Sequence, residues 1–108
     1  MTTSPIERVP AYAQDVALTE DSLDVQLVDG RTISVPLEWY PRLVVADENE
    51  RNNWELIGRG EGIHWPDLDE DISVANLLAG ARSGESQTSF RKWLEQRAHN
   101  GPDQRSSE

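Results

Sequence analysis

The first strong pattern along the chain has a period of two. Val16 and Leu18 alternate with polar neighbours, and Leu23, Val25 and Leu27 alternate with Asp24 and Gln26. Ile33, Val35 and Leu37 then alternate with Thr32, Ser34 and Pro36. Successive strand side chains point to opposite faces, so each run predicts a strand with one buried and one wet face. Thr19-Glu20-Asp21-Ser22 marks one turn and Asp29-Gly30 another; Asp-Gly supplies the positive φ that a tight hairpin requires. The result is a three-stranded antiparallel meander over about residues 15–19, 23–28 and 32–37. Pro36 cannot donate to a ladder and belongs at a strand end or edge.

The pattern then turns helical. Asp47 is a good N-cap, and Glu50 three residues later completes a capping box. A helix over about residues 48–56 places Arg51, Trp54 and Glu55 at i, i+3 and i+4, and Gly58 and Gly60 stop it. Glu61 to Trp65 reads as a short fourth strand that bends at Pro66. Ser73 caps a short helix holding Val74, Leu77 and Leu78, and Gly80 ends it. Beyond a linker at 81–89, Phe90, Trp93, Leu94 and Ala98 sit at i, i+3, i+4 and i+8 on an amphipathic helix over 90–100.

The fold class is therefore α+β. A small antiparallel or mixed sheet (meander, helix, strand, short helix) is followed by a C-terminal amphipathic helix. The compact domain spans 14–80, between a flexible tail at 1–13 and the linker, and a disordered tail is expected at 101–108. The expected core is Leu18, Leu23, Val25, Leu27, Ile33, Val35, Leu43, Trp54, Ile57, Ile63, Leu68, Ile72 and Leu77.

Composition narrows the chemistry. The 108 residues amount to one domain. There is no cysteine, which removes disulfides, thiolate nucleophiles and Cys-ligated metals. No apolar run approaches the ~20 residues of a membrane span. The first residues lack the basic head and apolar core of a secretory signal, so a cytoplasmic location is expected. The formal charge is −10. Residues 1–80 carry 16 acidic and 5 basic side chains, whereas 81–108 carry 4 and 5. Such a body repels phosphate backbones and suits a basic partner.

Two long strings carry a resemblance: VDGRTISVPLEWYPRL at 28–43 and ENERNNWELIGRGEGIHWPDLDEDISVANLL at 48–78. Together they resemble a small bacterial family known as Domain of Unknown Function 2442, over about residues 15–80. Tyr40 stands where many relatives carry Phe. The resemblance implies a small α+β domain with no established activity and no recognised catalytic residue. It also implies an antitoxin-like role, because some members lie beside small toxin-like proteins. Residues 81–108 fall outside it.

Several constellations compete with plainer uses. Asp67, Asp69 and Asp71 have the spacing of the first calcium-loop ligands, but Ile72 and Leu78 stand where that loop needs Gly and Glu. His64 with Asp67 and Asp69 could offer one nitrogen and two oxygens to a metal, yet such sites usually recruit more His or Cys. The plainer use of His64 is a hydrogen bond that fixes its strand. Gly58-Arg59-Gly60-Glu61-Gly62 follows a helix and enters a strand, the reverse of a dinucleotide loop. No serine lies in a nucleophile elbow. Trp54 suits the core; Trp39 and Trp65, at bends beside prolines, suit half-exposed interface positions.

The reading that follows is a non-catalytic protein-interaction module with no cofactor and no bound metal. Its partner would be a small basic, toxin-like protein. The expected interface is Trp39, Tyr40, Arg42, His64, Trp65, Asp67, Asp69, Glu70 and Asp71, with Glu61 adding to the steering charge. Phe90, Trp93 and Leu94 form a stripe for docking or self-association, so a homo-oligomer is a second expectation. The alternative is a small-ligand or metal-binding domain, or a weak hydrolase, centred on His64, Asp67 and Asp69. Nucleic acid and membrane are not expected partners.

Overall fold

The computed structural model describes residues 11–100. Residues 1–10 and 101–108, where the outer parts of the two tails are expected, lie outside the described residues, as do the side chains of His99 and Asn100. The first half follows the period-two pattern. Strands β1 (Ala13–Leu18), β2 (Ser22–Leu27) and β3 (Thr32–Pro36) form an antiparallel sheet in the order β1-β2-β3. Val16 faces Val25, and Val25 faces Ile33. A bulge between Ala13 and Asp15 shifts the phase of β1, so Ala13 and Val16, three residues apart, are both buried. At the Asp29-Gly30 turn Gly30 takes φ +100°, and Leu27 N–H donates to the Arg31 carbonyl at 2.7 Å.

One 3-10 turn (Leu37–Trp39) leads into helix α1 (Pro41–Val45), with proline pre-set for its first turn. Helix α2 (Glu48–Asn52) starts on the expected capping box: Asp47 accepts from Glu50 N–H at 2.8 Å, and Glu50 accepts from Asp47 N–H at 2.9 Å. The helix stops at Asn52 rather than at 56. Glu55 to Ile57 form strand β4 instead, which pairs with β5 (Gly62–Trp65). The acidic segment after Pro66 adds β6 (Glu70–Ser73) on the other side. The expected lone fourth strand is thus the centre of a second three-stranded antiparallel sheet, β4-β5-β6. Helix α3 (Val74–Ala79) follows, capped by Ser73 and ended by Gly80 at φ +76°. The 81–86 segment has no regular structure, and helix α4 (Gln87–Asn100) begins inside the expected linker.

One core joins the two sheets. Leu23, Val25, Leu27, Val35, Leu43, Ile63, Leu68, Ile72 and Leu77 are buried as expected, and Leu18, Ile33 and Trp54 pack partly buried against them. Two expectations reverse. Ile57 is 40% exposed, because its strand parity puts it on the outer face of the second sheet beside Gly62. Trp65, expected half-exposed, is wholly buried and is the largest buried side chain. It shares the inward face of β5 with Ile63, and its indole N–H donates to the Arg51 carbonyl at 3.0 Å. Among the described residues no helix is long and apolar enough to cross a membrane.

The sheets are also stitched through the backbone. Ala13 N–H donates to the Gly60 carbonyl at 2.8 Å, whereas the bond from Val74 N–H to the Glu61 carbonyl at 2.9 Å only extends the β5–β6 pairing into the start of α3. Gly60 sits at φ +110°, and a Cβ there would lie 2.5 Å from the Ala13 carbonyl oxygen. Gly60→Ala should cost about 2 kcal/mol or more, from left-handed strain plus that clash, and lower Tm by roughly 10 °C in a domain of this size. An unchanged melting curve would show that this turn does not bear on the first strand.

Candidate functional site

The densest polar cluster forms where α1, the β5–β6 turn and the 81–86 segment meet. α1 carries Arg42. The β5–β6 turn closes with Leu68 N–H donating to the Trp65 carbonyl, and Asp69 takes the left-handed region at φ +53°. That geometry leaves the Leu68 and Asp69 carbonyls within reach of Arg42 Nη1, which donates to them at 2.9 and 3.1 Å. The rest of the guanidinium grips the Glu85 carboxylate, with Nε donating at 2.9 Å and Nη2 at 2.5 Å. Both side chains of this pair are largely buried, at 14% and 9% exposure. Such a bidentate, shielded pair outranks an ordinary surface ion pair. It raises the Arg42 pKa and holds the Glu85 carboxyl below its usual range.

Helix α4 closes over this cluster. The guanidinium carbons of Arg42 and Arg97 each lie 4.7 Å from the Trp93 ring centre, a cation–π distance, and Phe90 stacks on Trp93 at 5.8 Å. Arg97 then reaches α2 and donates to both oxygens of Glu50, at 3.0 and 3.1 Å. Glu50 thereby caps α2 and holds α4 at once, and the Arg97 bond lowers its pKa. The expected stripe of Phe90, Trp93 and Leu94 is half-buried, with Trp93 packed against the core of its own chain. An open cleft of about 440 Å³ remains beside Trp93, lined by Arg42 and Asp69 of the domain and by Ser89, Lys92 and Gln96 of α4.

Glu70 lies on the inward side of β6, half-buried, within electrostatic reach of Arg42, Glu85 and Tyr40. Burial pushes its carboxyl up to about 7, and the attraction of Arg42 does not cancel that effect. Tyr40 is itself buried and donates its hydroxyl to the Ala81 carbonyl at 3.3 Å. It braces the 81–86 segment and is not an exposed interface residue. Trp39 is half-buried, with the Arg82 guanidinium 5.1 Å from its ring centre.

The outer face of the second sheet is a separate surface. Glu55, His64 and Asp71 stand side by side in one cross-strand row. His64 Nδ1 bonds the Asp71 carboxylate, whose hydrogen bond raises the imidazole above its usual 6.5. Asp67 points elsewhere, accepting from Asn53 Nδ2 at 2.9 Å. The suggested centre of His64, Asp67 and Asp69 is therefore not assembled; His64 pairs with Asp71 instead. Among the described residues no three His, Cys, Asp or Glu side chains come together as a metal site. Sequence reasoning missed Glu50, Glu85 and Arg97 as partners in the Arg42 cluster. No local signal links residues 43 to 47 positions apart.

Two small antiparallel sheets around one core, with short capped helices and a polar cluster at one edge, define a compact α+β domain. The chain belongs to the family described as protein of unknown function DUF2442, whose model matches residues 13–83. A crystal structure of a protein of unknown function from Rhodospirillum rubrum is similar, with TM-score 0.61 and 26% identity, over 71% of this chain and 95% of that one. The solution NMR structure of an uncharacterised protein from Chromobacterium violaceum shares the fold, with TM-score 0.61 and 20% identity, over 83% of both chains. No curated protein matches. Helix α4 lies beyond the matched residues, whereas Arg42, Glu50 and Glu70 lie within them.

The raised groups Glu70 and His64 make stability fall as pH rises, whereas the lowered carboxyls of Glu50 and Glu85 make it fall only as pH drops below their usual range. The Glu70 carboxyl titrates near 7 when folded against 4.5 in the open chain, so the folded state holds the extra proton between those values. Stability should decline from about pH 4.5 to about pH 7, and Glu70→Gln should flatten that decline. At pH 8 the variant should be about 1–2 kcal/mol more stable, a figure discounted for the solvent the side chain retains. An unchanged slope in pH-dependent denaturation would refute the burial of this carboxyl. His64 contributes below 6.5, and that contribution fades as pH climbs through its raised value. Asp71→Asn should move the His64 NMR titration back toward 6.5; a midpoint that stays put would exclude Asp71 as its cause.

Proposed function

We propose that the chain is a non-catalytic protein-interaction module, antitoxin-like in role, whose partner is a small basic protein. The carrying observation is where the charges go. Arg42 is committed to Glu85 and two carbonyls, Arg51 to the Leu43 and Val44 carbonyls at 2.9 and 3.0 Å, Arg97 to Glu50, and Arg31 to Asp29. Much of the positive charge is thus turned to internal structure. Glu55, Glu61, Asp67, Asp69 and Asp71 remain exposed around the second sheet, and the chain carries −10 overall.

Apolar contacts for such a partner come from residues other than Trp65. Ile57, 40% exposed, lies on the edge strand β4 on the same outer face as Glu55, and Leu56, 37% exposed, lies on the opposite face of that edge. A basic partner would be steered by the carboxylates and seated on this edge. His64 supports the reading through the acidic row it occupies; no observation favours a ligand centre on it.

A tagged pull-down from the native host, run at low and moderate salt and read by mass spectrometry, tests the proposal. A small basic protein should be recovered in near-equal amount and decline as salt rises, with Glu55→Lys/Asp71→Lys reducing capture about tenfold or more. Capture that ignores both salt and the charge reversals would defeat it.

A further inference from the structure

We infer that the surface beneath α4 is a docking site for a basic amphipathic helix, and that α4 is its resident occupant, which a partner's helix must displace. The inference deepens the proposed function and rests on it for the identity of the partner. Three observations carry it.

The first is the split between site and occupant. Arg42, Glu50, Leu68 and Asp69 belong to the family-matched residues, whereas α4 lies outside them. The domain supplies the surface, and the extension supplies the helix that fills it.

The second is the nature of the hold. Among the described side chains of α4 none is buried; Phe90, Trp93, Leu94 and Arg97 are half-buried. The helix is kept by the Arg97–Glu50 pair, by the Arg42 guanidinium over a half-buried Trp93, and by Glu85 just before its first turn. The more exposed Arg97–Glu50 pair weakens with salt, whereas the shielded Arg42–Glu85 pair is screened less, and neither is a packed apolar seam. An isolated helix of 14 residues is marginal in water, so α4 depends on its seat.

The third is complementarity. α4 presents Arg91, Lys92 and Arg97 against one carboxylate, Glu95, and it rests on a body that is strongly acidic. Its own chemistry defines the competitor: a helix with an aromatic residue and an arginine four positions later, preceded by a carboxylate for Arg42. A tether keeps the local concentration of α4 near the mM range, so a cis occupant with weak contacts still blocks a free helix.

The test uses the full chain. A fluorescein-labelled synthetic peptide of residues 84–100 is titrated into wild type, Trp93→Ala/Arg97→Ala and Leu94→Pro, with ¹⁵N NMR reporting the site. Leu94→Pro breaks the helix without altering the surface beneath, and it decides the matter if the double variant folds poorly. Both variants should bind the peptide about tenfold or more tightly than wild type, with shifts at Arg42, Glu50 and Leu68. Binding to no chain, or equal binding to all three, overturns the inference. The pull-down separates the two claims. A basic partner captured equally by wild type and Leu94→Pro removes the resident-occupant claim and spares the proposed function. Peptide binding to the variants with no basic partner at any salt removes the proposed function and keeps the docking site.

Discussion

The N–H of a wholly buried indole must find an acceptor, and here that requirement organises much of the molecule. Trp65 is the largest side chain in the core, and a donor left unmade at that depth would cost about 1–3 kcal/mol. Its acceptor is the carbonyl of Arg51, near the end of α2. The side chain of the same Arg51 closes the open carbonyls of Leu43 and Val44 in α1. Glu50, one residue earlier, is held at the α2 N-terminus, where it can grip Arg97. Arg97 in turn sits over Trp93, which also meets Arg42. One hydrogen bond in the core is thus linked, contact by contact, to the placement of a helix on the surface.

Local chemistry was legible in the sequence; pairing across distance was not. The Asp29-Gly30 turn, the Asp47/Glu50 capping box and the Ser73 and Gly80 caps stand where short-range rules put them. The error at 53–57 has a clear cause. Arg51, Trp54 and Glu55 satisfy a helical spacing, but Leu56 and Ile57 gain more by joining β5 than by extending α2. Only the tertiary partner decides such a case. β6 was hidden for a related reason. Its segment is dominated by carboxylates that carry no strand signal, although Asp71 outward and Ile72 inward already alternate.

The site shows the same division. Arg42, Glu70 and the Trp93 stripe were singled out from sequence, yet their roles came from residues far along the chain. Trp65 was misplaced because a tryptophan before proline signals a bend, and a bend says nothing about depth. His64 was placed on its strand with a hydrogen-bond partner, but strand register chose Asp71 over the nearer Asp67.

The charge economy of the chain also bounds what a competing helix must do. A tether gives α4 an effective concentration of about mM, so a rival present at about μM must bind roughly a thousandfold more tightly, or about 4 kcal/mol. Charge alone supplies little of that, because exposed pairs are typically worth under about 1 kcal/mol each. α4 leaves the apolar part of its seat underused: Trp93 packs against the core yet stays half-buried, and no described side chain of the helix is fully buried. One large apolar side chain fully buried there is worth roughly 1.5–3 kcal/mol. Glu85 already gives Arg42 its carboxylate, so a rival's carboxylate there adds nothing to the difference, and about two such apolar side chains are required. The displacing helix is therefore defined by what α4 lacks, apolar side chains buried completely against the core, while its basic face meets the same Glu50 carboxylate that holds α4.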